Sequence, residues 1–157
     1  MSDTLHETAQ NALLPKDTRR SLPMALLRAR EMVMSRFRPM LDAHNITEQQ
    51  WRVLRVLDES GQMDASQVAA KANILSPSLT RMIRSMTERG LIGRGRDDND
   101  GRRVMLEIAP TGAMLIATVS PHSHKITQQL SEQYGEEKLA TLLALLDELA
   151  HLPDETA

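Results

Sequence analysis

Residues 64–92 read DASQVAAKANILSPSLTRMIRSMTERGLI, and they restrict the fold more than any other stretch. Apolar residues recur at helical spacing over Ala65–Ala72 and again over 77–89, with only NILS as a joint. Ser76 suits the N-cap of the second helix, and Pro77 its first position, where the missing N–H costs nothing. Gly90 suits the left-handed residue just past its end. Two helices on so short a joint form a helix-turn-helix. Two short apolar runs follow, Leu91-Ile92 and Val104–Ile108, on either side of DDNDGRR, which fits a β-hairpin with a charged loop.

The flanks are helical as well. Leu26, Leu27, Met34, Phe37 and Leu41 are spaced for burial in a helix over 22–41, which Pro39 should bend or stop. Thr47 and Gln50 form a capping box ahead of Trp51, Leu54 and Leu57, with Ser60-Gly61 closing that helix. Pro110 opens a long pattern through Met114, Ile116, Val119, Ile126 and Leu130, and a leucine-rich helix follows over about 135–151. The terminal helices hold more Leu, Met and Ile than a small domain can cover, which predicts packing against a second copy. The expected architecture is mostly α with a small β-hairpin: a winged helix-turn-helix with N- and C-terminal helices forming a dimerisation region. The expected divisions are an arm over 1–20, a dimerisation helix over 21–44, the winged domain over 45–109, further dimerisation helices over 110–152 and a tail over 153–157.

Composition agrees. Aromatics are 2% of the 157 residues against 41% hydrophobic, which favours helix over strand. The chain has no cysteine, hence no disulfide or thiolate site. Neither a signal peptide nor a membrane span is legible, so the expected compartment is the cytoplasm. The net charge of −2 is unevenly placed. Over 76–105, seven arginines stand against four acids, a basic block in an otherwise acidic chain. Such a block can meet phosphates at one face.

In the second helix of the pair, Leu79, Ile83 and Met86 should face inward, which leaves Ser78, Thr80, Arg81, Arg84 and Ser85 outward to varying degrees. With Ser76 at the helix start, that face suits the major groove of DNA, and Arg81 is the first choice for reading a base edge. An ordinary solvated helix would look the same in isolation; the neighbouring helix and hairpin favour DNA. Arg103 is a candidate phosphate contact, whereas Asp97, Asp98 and Asn99 read as a solvated turn. Arg30, Ser35 and Arg38, with Trp51 and Arg55 on the next helix, supply cations, a hydroxyl and an apolar wall suited to a small aromatic carboxylate. The plainer alternative makes Trp51 core and pairs Arg30 and Arg38 with Glu31 and Asp42. His122 and His124 point apart on a helix, so no metal or cofactor is expected, and no nucleophile elbow or phosphate loop suggests an enzyme.

The chain resembles the MarR-type winged-helix regulators over 22–149, most densely in ITEQQWRVLRVLDES, the 64–92 stretch and DDNDGRR. Within them LLRAREMVMSRFRP, HNITEQQWR and ILSPSLT are most like the HpaR type, repressors of homoprotocatechuate catabolism. The resemblance implies a cytoplasmic homodimer on a pseudo-palindromic operator, released by an aromatic acid. It also implies that Arg102 enters the minor groove and that Asp100 pairs with Arg94 to hold the wing. One departure is Ala109, where the family has a threonine cap before Pro110-Thr111-Gly112. The rival readings are a winged-helix module that binds protein instead of DNA, and a regulator that answers a non-aromatic signal.

Overall fold

Three helices end by one device, which sets how the chain turns. In the computed structural model, which describes residues 18–97 and 99–153, α1 is Leu22–Ala43, α2 Glu48–Ser60, α3 Ala65–Ala72 and α4 Ser76–Glu88. After α1, α3 and α4 stand Asn45, Asn73 and Gly90, each at positive φ (53°, 52° and 68°). In each case the next N–H reaches back to a carbonyl of the last turn: Ile46 to Leu41, Ile74 to Ala69 and Leu91 to Met86, at 2.9–3.1 Å. These are Schellman closures, and each delivers a buried aliphatic residue directly after the helix. Helix starts are equally legible. The Thr47–Gln50 capping box is present, and Asp64 forms a second with Gln67 at the start of α3.

The remaining elements are β1 (Met63–Asp64), β2 (Ile92–Arg96), β3 (Val104–Ile108), α5 (Pro110–Tyr134) and α6 (Glu136–Ala150). The strands form one antiparallel sheet in the order β1-β3-β2, with Arg96 opposite Val104 and Met63 opposite Leu106. The expected hairpin is therefore there, and β1 adds a third strand that two residues of sequence did not reveal. The chain divides into two compact units, Met1–Trp51 and Arg52–Ala157, with the division inside α2. In the first unit Leu41 and Ile46 are buried. In the second, Val53, Leu54, Leu57, Val68, Leu79, Met82, Ile83, Met86, Leu91, Ile92, Leu106, Ile116 and Val119 are buried.

Several expectations change. Pro39 does not stop α1, which runs on to Ala43; the loss of one N–H is outweighed where Leu41 buries beyond it. The N-cap of α4 is Leu75 and not Ser76, which is the first helical residue, so Pro77 stands second. Ala109 caps α5 with no side-chain bond and Pro110 follows directly, as the departure at that site implied. The glycine two positions on from Pro110 has its own reason. A Cβ at Gly112 would lie 2.0 Å from the Leu91 carbonyl oxygen, so α5 can cross the start of β2 only there. Most of the arm over 1–20 and of the tail over 153–157 lies outside the described residues; Thr18–Arg20 form a short 3-10 turn. No helix among the described residues is long and apolar enough to cross a membrane, and no group of metal-ligating side chains is present among them.

Candidate nucleic-acid interface

The core stripe of α4 decides what its other face presents. Leu79, Met82, Ile83 and Met86 are buried, one residue more than the spacing predicted, and Ser76, Ser78, Thr80, Arg81 and Arg84 are exposed. Ser85 is half-buried. Two exposed side chains have local partners. Thr80 Oγ1 donates to the Ser76 carbonyl at 3.2 Å, and Arg84 Nε to Glu88 at 3.1 Å. The second is an i, i+4 pair in open solvent, worth a few tenths of a kcal/mol, and it leaves Arg84 free to exchange partners.

The loop over 97–103 is built differently from its reading. Among the described residues no ion pair joins Asp100 to Arg94, and the Asp100 carboxylate instead accepts the Arg102 backbone N–H at 3.1 Å. The Arg103 N–H in turn meets the Asp100 carbonyl at 3.0 Å. The pairing with Arg94 is thus replaced by a turn that Asp100 closes on its own backbone, the usual use of a short acidic side chain in a loop. Asp97 is not simply solvated: it accepts the Asn99 N–H at 3.0 Å and lies 3.6 Å from the Arg103 guanidinium. Asp98 lies outside the described residues. Arg103 ties the wing down, donating to the Asp64 carboxylate as well as facing Asp97. Arg102 and Arg94 are exposed.

Asp64 thereby has two duties. One oxygen accepts the Gln67 N–H at 2.8 Å and caps α3; the other receives Arg103. The Gln67 N–H, then Arg103, hold its carboxyl below the ordinary carboxylate range, and Asp64 raises the Arg103 guanidinium in return. The first helix of the helix-turn-helix and the wing are therefore joined through one carboxylate. Sequence reading missed Asp64, although Asp-Ala-Ser-Gln is a capping-box signal. It had no means of finding the tie to a residue 39 positions away.

In the first unit, Arg30 and Arg38 are already engaged. Glu48 accepts from Arg30 Nη2 at 2.5 Å and from Arg38 Nε at 2.8 Å, and Glu31 receives Arg38 at 2.8 Å and lies 3.4 Å from Arg30. The pairing with Glu31 is the plainer alternative of the sequence reading; Glu48 takes the place given there to Asp42. Burial pushes the Glu48 carboxyl up, and the two arginines outweigh it to leave it lowered. Arg38 is raised, by Glu31 first and then Glu48. Ser35 Oγ donates to the Met32 carbonyl at 2.7 Å, and Trp51 is half-buried. In the second unit, Arg55 pairs with Glu59 at 2.5 Å and Asp58 at 3.9 Å.

Comparison with known proteins bears on this geometry. Residues 46–104, from the helix before the pair to the start of β3, match the MarR family. The homoprotocatechuate degradative operon repressor of Escherichia coli is 40% identical over 132 residues, 84% of this chain and 89% of that protein. The crystal structure of NadR in complex with 4-hydroxyphenylacetate superposes with a TM-score of 0.77 at 37% identity, covering 88% of this chain and 98% of that one. That of the transcriptional repressor CouR bound to a 23-mer DNA duplex superposes at 0.76 with 27% identity, covering 83% and 92%. The fold, the identity and the coverage agree, and this chain belongs to the MarR family of winged-helix transcriptional regulators.

Proposed function

We propose that this regulator represses an operon for the breakdown of an aromatic compound and leaves its operator when a small aromatic carboxylate binds. The observation that carries the DNA half is the exposed face of α4. Ser76, Ser78, Thr80, Arg81 and Arg84 lie opposite four buried core residues, in the helix that a helix-turn-helix sets into the major groove. Arg81 bridges a guanine edge, the hydroxyls meet phosphates or base edges, and Arg102 at the wing tip enters the minor groove. Arg94 adds a cation near the phosphates, Asp100 shapes the tip, and Arg103 orients the wing through Asp64. The protein works in the cytoplasm as a homodimer on a pseudo-palindromic site, its two α4 helices about 34 Å apart to meet successive major grooves. The uncovered leucines of α6 support that assembly.

For the effector, NadR was solved with 4-hydroxyphenylacetate, and the E. coli relative is named as the repressor of a homoprotocatechuate degradative operon. Trp51, in the first unit, is a candidate ring wall, and Arg55, in the second, a candidate cation. The partners of Arg55 are exposed i, i+3 and i, i+4 acids that a ligand carboxylate can displace at little cost. Arg30 and Arg38 are saturated by Glu48 and Glu31 and serve the effector only if a ligand competes with those acids. Ser35 offers a hydroxyl. The test is binding to a duplex from the intergenic DNA upstream of the gene, from low to moderate salt, with and without 4-hydroxyphenylacetate. The expected result is an affinity that falls by orders of magnitude with salt and falls again with the acid. No salt-sensitive binding would sink the regulator assignment; DNA release by a non-aromatic signal alone would redirect the effector.

A further inference from the structure

We propose that Leu75 reads a thymine of the operator by seating its side chain against the 5-methyl group in the major groove. The proposal rests on the DNA-binding reading above. It starts from two adjacent aliphatic residues with opposite fates: Ile74 is 8% exposed and Leu75 79%. The backbone explains the split. Asn73 in the left-handed region closes α3, the Ile74 N–H returns to Ala69, and Ile74 is carried into the core. Leu75 is extended (φ −67°, ψ 136°), so it turns to the other side, into solvent, just ahead of Ser76.

Among the described residues, little packs against the side chain of Leu75. Its contribution to α4 is its carbonyl, which accepts the Leu79 N–H at 3.1 Å and which any residue supplies. As N-cap it makes no side-chain bond, where serine or aspartate would add about 1 kcal/mol. The position therefore sets aside both a cap and the burial of a large apolar side chain. A residue that breaks two local preferences at once is what a binding function leaves behind.

The surroundings name the occupant. A shallow cleft beside Leu75 is lined by Ser66, Ala70, Asn73 and Ser76 among others, small or uncharged side chains with no carboxylate to repel a phosphate. It is continuous with the exposed start of α4, where Ser76, Ser78 and Arg81 stand. The thymine methyl is the one apolar group that a base pair presents in the major groove. An exposed leucine between hydroxyl-bearing neighbours matches it, and a flat apolar partner surface does not.

The experiment uses the full chain and the footprinted duplex from its own upstream DNA. Each thymine is replaced in turn by deoxyuridine, which removes only the methyl group. Wild-type protein is expected to lose roughly fourfold in affinity at one position per half-site, the worth of one buried methyl. Leu75→Ala should bind the unmodified duplex with the affinity that wild type has for the uracil duplex, and lose nothing more on the replacement. Leu75→Met should keep most of the discrimination, and unchanged thermal unfolding in both variants separates contact from fold. The proposal is overturned if no uracil replacement alters wild-type binding, or if Leu75→Ala retains the full uracil penalty. Absence of binding to any duplex overturns the DNA reading with it, a distinguishable failure.

Discussion

Helices α4 and α6 both carry several large apolar residues and end up in opposite conditions. In α4 four apolar residues are buried, and in α6 none is, with Leu143 and Leu145 more than half exposed and Leu142 and Leu149 over a third. The difference is where the partner comes from. α3 and β2 pack against α4 within the same chain, whereas α6 meets α5 with Leu139 and Leu146 half-buried and leaves its other leucines largely uncovered among the described residues. An amphipathic pattern specifies that a face will be covered, not by which molecule.

The sharpest break of that comparison is a pair of equal truncations. Leu79→Ala should cost about 2–5 kcal/mol in denaturant unfolding, because it empties a closed core. Leu143→Ala should barely change the unfolding of dilute protein, yet Leu143→Asp with Leu145→Asp should convert a dimer to monomer in sedimentation. Wild-type protein that is already monomeric at high concentration would end the account of α6. Next comes Gly112→Ala, expected to cost about 3 kcal/mol because the new methyl meets the rigid Leu91 carbonyl. An unchanged melting temperature would show that α5 can shift away from β2.

On the exposed face of α4, Arg81→Ala should weaken operator binding by about 1–3 kcal/mol and relax preference at one base pair, with stability unchanged. Equal loss on every sequence would demote it to a phosphate contact. Smallest is Asp64→Asn, which keeps a good N-cap and removes the charge that holds Arg103. Operator affinity should fall while the unfolding midpoint at neutral pH changes little. The pH dependence has a defined sign. The folded Asp64 carboxyl is lowered, so its contribution is complete above the ordinary carboxylate pKa of about 4 and is lost as pH falls through the folded value. Glu48 adds in the same direction. Acid unfolding of Asp64→Asn should therefore be shallower below about pH 4 than that of wild type.

Most of the local structure was legible because its causes are local. Thr47 and Gln50, Gly90 and Pro110 each act within one turn of where they stand, and Asn45 and Asn73, which the sequence reading passed over, do the same. The stripe Leu79, Ile83 and Met86 gave the inward face of α4 and so, by subtraction, the candidate DNA face. The wing shows the limit. Asp100 and Arg94 were paired by likeness to a family, and the chain instead uses Asp100 for its own turn and Asp64 for the tie to Arg103. Asp64 is remote in sequence and comes near only because β1 joins the edge of β3.

By itself, then, the sequence determined the helices and the hairpin, which follow from residue spacing and the chemistry of a few caps, and its motifs carried the resemblance to the family. Tertiary structure alone decided which charges meet, that Glu48 engages Arg30 and Arg38, that Gly112 has no room for a methyl, and that Leu75 faces water while Ile74 does not. Spacing encodes the direction of a side chain relative to its own helix. What that side chain meets depends on which distant segment the folded backbone brings to it.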